Sequence, residues 1–312
     1  MSRRRTRLAG RGATVLLVLV GLVGPAAARA AAGTGAARAD IGSSTYTATD
    51  TAAGTEVAAA MRAAGGPYAD WVADGRRFLA FDPRGDGRAV EALGDPDTAD
   101  RIVILVPGVA SRLRDFDRGL GGVRRRAPAA QARALHRQLR IADPGARVAV
   151  LAWLGYDPPD GIGWSAARSD SARTGSEELV DLVWTLAAAR PAAAITVVGH
   201  SYGAVVVGLA AGRLPCQVTD LVSLGGVGMG AAEVAGLGSP ARVWAAQAAD
   251  DWIRWLPPVR LFGLGHGVRP ADPAFGARPL PTGAGAGHDD YLVPGSPTLD
   301  ALAGVVLRSA RP

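Results

Sequence analysis

Ile195-Thr-Val-Val-Gly-His-Ser-Tyr-Gly-Ala-Val-Val-Val-Gly-Leu209 decides how the rest of the chain is read. Its first four residues are apolar or β-branched and read as a buried strand. Gly199-His200-Ser201-Tyr202-Gly203 follows, and a small-residue apolar segment begins at once. Strand, Gly-x-Ser-x-Gly and helix in that order are what a serine needs to stand exposed on a sharp turn, its backbone strained. Gly199 and Gly203 take side chains away where strand, turn and helix crowd one another. The Tyr202 N–H is then placed to meet an oxyanion that develops beside Ser201. The motif alone is weak in a chain with 42 glycines; its position between strand and helix gives it meaning.

Outward from this stretch, strands and helices alternate. Arg101-Ile-Val-Ile-Leu-Val-Pro-Gly108 and Arg147-Val-Ala-Val-Leu-Ala-Trp153 are continuous apolar runs, the mark of strands buried on both faces. Residues 219–225 and 242–247 predict two more strands, and 278–280 a weak last one. Residues 77–81 and 88–93 predict a hairpin about the turn 82–87. Helices are predicted over 50–64, 131–140, 176–190 and 298–307. The pattern predicts an α/β fold, a mostly parallel sheet covered by helices on both faces. The short gap between Gly225 and Arg242 leaves no room for a large cap domain, so the cleft is expected to be open or covered by loops.

In such a sheet the site lies at the carboxyl ends of the strands. A general base for Ser201 must come from four histidines. His288, on the loop before the last helix, fits the chain order nucleophile, acid, base. His266, in a Gly-rich turn, and His200, beside the serine, are the alternatives, while His136 reads as part of a solvated helix face. The acid should end the strand 242–247, where Asp250 and Asp251 stand side by side. Asp251 is favoured over Asp250, with Glu233 further off, and both aspartates also read as caps for the segment 252–255. A second oxyanion donor should come from the loop after residues 102–106, from the backbone of Val109 or Ala110, Val109 being preferred. The arginine-rich stretch 112–126 reads as a solvated loop balanced by Asp115 and Asp117. Asp289-Asp290 is a lone acidic pair, and no metal-ligand spacing or cofactor motif occurs.

All 34 basic residues are arginine, against 28 acidic ones. Six arginines and no acid lie in residues 1–30, so the remainder is neutral and gives no reason to expect nucleic-acid binding. Arg3 to Arg11, the apolar run Ala13–Val23 and Ala28-Arg29-Ala30 read as an export signal with its cleavage site. A retained membrane anchor is the other reading. Residues 31–75 are expected to be a linker and a short helix, and 76–312 the folded domain. The lone Cys216 forms no internal disulfide and reads as a buried, inert thiol.

Taken together, Val106-Pro-Gly-Val-Ala-Ser111, Trp153-Leu-Gly-Tyr-Asp-Pro158, Gly199-His-Ser-Tyr-Gly203, Ala249-Asp-Asp-Trp-Ile253, Gly265-His-Gly267 and Gly287-His-Asp-Asp-Tyr291 resemble the serine α/β-hydrolases. Within them the likeness is to a secreted actinobacterial branch of unknown function, and it covers roughly residues 76–307. The resemblance implies the triad Ser201, Asp251 and His288 and two-step acyl transfer; the Tyr202 and Val109 N–H groups are the expected oxyanion hole, and no cofactor is expected. Asp250 and Trp252 depart from the small residue and proline expected around the acid. The expected protein is a secreted or envelope-associated serine hydrolase acting on an ester or similar small acyl substrate. A non-catalytic protein of the same fold that binds a lipid or envelope component is the alternative.

Overall fold

The computed structural model of the chain describes residues 51–256, 258 and 264–309. The expected export signal at 1–30 and linker at 31–50 lie outside the described residues. In chain order the elements begin with helices α1 (Thr51–Ala64) and α2 (Gly66–Ala73) and the strands β1 (Arg77–Asp82), β2 (Arg88–Leu93) and β3 (Arg101–Val106). Helix α3 (Pro128–Ala142), β4 (Val148–Leu154), the one-turn α4 (Trp164–Ala167) and α5 (Asp170–Ala189) follow. The elbow strand β5 (Ala194–His200) runs into α6 (Gly203–Ala210), and β6 (Val218–Leu224), β7 (Arg242–Ala246), β8 (Arg278–Pro279) and α7 (Pro297–Arg308) complete the chain.

The strands form one eight-stranded sheet in the order β1-β2-β4-β3-β5-β6-β7-β8. The hairpin β1–β2 joins β4 antiparallel, and every pairing from β4 onward is parallel. Side-chain alternation fills both faces. Ile102, Ile104, Ile195 and Val197 enter one core layer with residues of α5 and α6. Val103, Leu105, Val198 and Val222 enter the other, with residues of α1, α2, α3 and α7. A strand apolar at every position is what burial on both faces requires. Between β6 and β7 there is only a 3-10 turn, Val234–Leu237, so no cap domain arises there. Among the described residues, no helix is long and apolar enough to cross a membrane.

The sequence missed α2 altogether. Gly66 and Pro67 open it, and eight residues are too few for a clear helical period. Yet Trp71 stacks on Phe78 at 5.6 Å, tilts against Phe116 at 5.9 Å, and is capped by the Arg76 guanidinium at 4.3 Å. Cys216 is exposed rather than buried, because the chain after Pro215 runs along the surface before it enters β6. His136 is half-buried rather than solvated, its ring lying against Gly94, and burial followed by the Arg140 charge lowers its pKa.

Trp71→Ala should lower unfolding free energy by about 3–5 kcal/mol, the usual cost of truncating a buried aromatic. Urea titration measures it, and a loss under about 1 kcal/mol would mean that α2 is not part of the core.

Candidate active site

β5 delivers Ser201 in the left-handed region, with φ +55° on a residue that is not glycine. Such a conformation costs about 1–3 kcal/mol and persists only where the surroundings enforce it. Here the Ser201 N–H donates to the Leu224 carbonyl at 2.9 Å, and the Ser201 carbonyl accepts from Ala204 N–H at 3.1 Å. A Cβ at Gly199 would lie 2.6 Å from the Ala204 backbone, and one at Gly203 would lie 2.3 Å from the Val106 carbonyl. Neither position can therefore carry a side chain while the helix keeps its approach to the strands. Tyr202 fastens the turn from the other side. Its hydroxyl donates to Arg168 O at 2.8 Å and accepts from Ala172 N–H at 3.2 Å, and burial raises its pKa to about 12.

The loop after β3 lies directly over this turn. A Cβ on Gly108 would lie 2.8 Å from Ser201 Cβ and 3.3 Å from its Oγ. The segment after β4 holds the loop in place: Tyr156 OH donates to Pro107 O at 2.7 Å, and Ala110 N–H donates to Pro159 O at 2.7 Å. Ala110, at φ +56°, has thus committed its N–H elsewhere. Among the described residues, the N–H groups of Val109 and Tyr202 donate to no backbone acceptor.

Of the two aspartates after β7, Asp251 turns inward and is fully buried, while Asp250 is exposed. Asp251 is a cap as well as a partner. Its Oδ1 accepts from Ile253 N–H at 2.8 Å, at the start of the 3-10 turn Trp252–Trp255. His288 Nδ1 lies 3.0 Å from both carboxylate oxygens, and Tyr291 OH donates to Oδ2 while accepting from Ala248 N–H at 3.0 Å. Burial alone would raise the Asp251 pKa, but the bonds from His288, Tyr291 and Ile253 outweigh it and hold the carboxyl below its ordinary range. A carboxylate only accepts, so a hydrogen stands on His288 Nδ1, and in the neutral ring the lone pair is on Nε2. The Trp252 ring lies 5.0 Å from that imidazole.

The remaining candidates fall elsewhere. His266 is buried, with Nε2 2.7 Å from Ala166 O and Nδ1 3.5 Å from Ser169 Oγ, and it pins α4 to the segment after residue 264. Glu233 is exposed, at the start of the 3-10 turn between β6 and β7. His200 does not serve the serine side chain. Its Nε2 lies 2.8 Å from the His288 carbonyl, and its ring centroid 4.7 Å from that of His288. Burial first, and the His288 charge second, lower its pKa to about 4, so near neutral pH it is an uncharged ring. The arginine-rich stretch is not a solvated loop balanced by its own acids alone. Arg126 pairs with Asp289 at 2.6 Å and Arg125 with Asp290 at 3.1 Å, so it fastens the loop that carries His288. Asp289-Asp290 is therefore not a lone pair. Nothing local marked these pairings, nor those of Tyr291 and His200.

Fold and site together define a hydrolase-type α/β sheet with a serine at its elbow. The chain belongs to the Alpha/beta hydrolase family, whose sequence pattern matches residues 82–261. It is 31% identical over 265 residues to the uncharacterized protein Rv2079 of Mycobacterium tuberculosis, covering 73% of this chain and 38% of that protein's length. It is 32% identical over 197 residues to the uncharacterized protein Rv0963c of the same species, covering 61% of this chain and 72% of that one. Among solved structures it is similar to esterase PE8, at 18% identity and a TM-score of 0.45, over 70% of this chain and 97% of that one. It is also similar to an α/β serine hydrolase without lid from Xanthomonas campestris, at 18% identity and a TM-score of 0.41, over 75% and 93%.

His200 makes stability depend on pH. Its folded pKa, about 4, lies below the ordinary 6.5, so the unfolded chain takes up the proton first. Stability should therefore fall as pH drops from 6.5 toward 4, by roughly 3 kcal/mol from this group at most. Asp251, with a depressed pKa, loses its contribution only at lower pH still. Urea midpoints of wild type and His200→Gln measured across this window should converge as the pH falls. Parallel curves would refute the assignment.

Proposed function

We propose that the chain is a serine hydrolase that cleaves an ester or similar acyl substrate through a covalent acyl-enzyme. Ser201 is the nucleophile, His288 the general base and Asp251 the acid that orients it. The Tyr202 and Val109 N–H groups receive the oxyanion. The observation that carries this reading is the Asp251–His288 pair, whose tautomer leaves Nε2 able to accept a proton, on the same sheet edge as a serine held at φ +55°.

In the first half-reaction His288 Nε2 takes the Ser201 Oγ proton as Oγ bonds to the acyl carbon. The carbonyl oxygen becomes an alkoxide stabilised by the two N–H groups. His288 then gives the proton to the departing oxygen, and the bond between acyl carbon and leaving group breaks. In the second half water repeats the sequence on the acyl-serine and frees the carboxylic acid. Asp251 stays ionised throughout and stabilises the imidazolium that forms in each half.

An apolar acyl group is favoured by the surroundings. Ile162 and Trp164, on the segment after β4, are 70% and 75% exposed, and Trp255, in the turn after Asp251, is 83% exposed. Both segments leave the carboxyl edge of the sheet. We also propose that residues 1–30 direct export and that the protein works outside the cytoplasm or at the envelope. The reading rests on the arginine cluster and the apolar run that follows it. N-terminal sequencing of the protein recovered outside the cell should begin just after Ala30.

A fluorophosphonate should form one adduct, on Ser201, located by mass spectrometry of the digested protein and missing from Ser201→Ala. Asp251→Asn should slow turnover by about 10³–10⁴-fold, and Asp250→Asn should leave it near wild type. Turnover abolished by a chelator but untouched by the fluorophosphonate would sink the proposal.

A further inference from the structure

We infer that His200 is a positioning residue for the base, tying the main chain of His288 to the strand that carries Ser201. The inference rests on the reading of Ser201 and His288 as nucleophile and base. A carbonyl oxygen only accepts, so the 2.8 Å contact between His200 Nε2 and His288 O is an N–H donating to that oxygen. Among the described residues no backbone N–H reaches the same carbonyl. The rings of the two histidines lie against each other, 4.7 Å between centroids and 37° between planes. The Tyr291 ring packs against His200 at 6.0 Å between centroids, steeply inclined to it.

What this bond adds becomes clear from the other fasteners of the base loop. Asp251 fixes the rotation of the His288 ring through Nδ1 but does not touch its main chain. The pairs Arg126–Asp289 and Arg125–Asp290 are partly open to solvent and act on the neighbouring side chains, and such pairs hold weakly. His200 ties the main chain of the base itself to the end of β5 by a sheltered hydrogen bond, whereas Tyr291, three residues on, fastens the loop to Ala248 and Asp251 after β7. One peptide bond separates His200 from Ser201, so the bond sets the distance between nucleophile and base from a common origin, the end of β5. A reaction that depends on proton transfer between two side chains loses about 100-fold when one of them moves by about 1 Å. A donor at position 200 guards against that displacement.

The test compares His200→Met with His200→Gln in the full chain. The two side chains are alike in length, and only glutamine carries an N–H. Labelling of Ser201 by a fluorophosphonate is followed over time and separated into the limiting rate and the half-saturating concentration. His200→Met should lower the limiting rate by about 10–100-fold, with half-saturation within about twofold of wild type. His200→Gln should recover most of the rate. If the methionine variant does not fold, His200→Phe replaces it, since it keeps a ring against His288 and lacks the donor. A donor-less variant that labels at the wild-type rate would overturn the inference, as would a glutamine variant as slow as the donor-less one. Folded wild-type protein that takes no label at all would overturn the serine reading itself, and this inference with it.

Discussion

One backbone conformation governs the site. Ser201 sits at φ +55°, where a side chain is disfavoured, and three close approaches keep it there. The strand cannot slide, because Gly199 already touches the Ala204 backbone. The helix cannot retreat without opening the gap that Gly203 closes against Val106. Leu224, on the neighbouring strand, takes the Ser201 N–H. Removing any of these would let the turn relax into ordinary geometry and draw the serine back toward the sheet. The eight-stranded sheet, buried on both faces, is the frame stiff enough to sustain that strain.

What the sequence revealed and what it hid divides along the range of each interaction. The strands at 101–106, 148–154 and 194–200 were legible because a run of apolar residues bounded by turn residues is a local signal. The elbow was legible for the same reason. Asp251 was favoured over Asp250, but the sequence could not close the choice, since it depends on how the turn after β7 rotates, and two adjacent identical residues carry no mark of that. Helix α2 was hidden by its shortness, although its Trp71 fills a core position. His200 was legible as a neighbour of the serine. Its partner, 88 residues away, was not, because only the folded topology brings the last loop over the end of β5. The arginines at 125 and 126 looked like solvated charge for the same reason: their carboxylates arrive from the far end of the chain.

Asp251 shows why a capping residue and a functional one need not be rival readings. The bond from Ile253 N–H and the bond from Tyr291 fix the carboxylate plane before His288 approaches it. The cost of burying this charge is offset by donors that belong to the fold, so the imidazole meets a carboxylate already oriented and already ionised. Order of this kind is built into the turn and owes nothing to a ligand.

The two hydrogen bonds by which Tyr156 and Ala110 join the loops after β4 and β3 also limit how this scaffold can diversify. Residues 155–159 cannot lengthen without withdrawing their hold on Pro107 and Ala110, and so on the ceiling above the serine. Beyond Asp160, which pairs with Arg112, the constraint ends, and the chain runs through exposed residues before His266 anchors it again at Ala166. New chain length, and with it a new roof or wall for different substrates, has its natural point of entry between those two anchors.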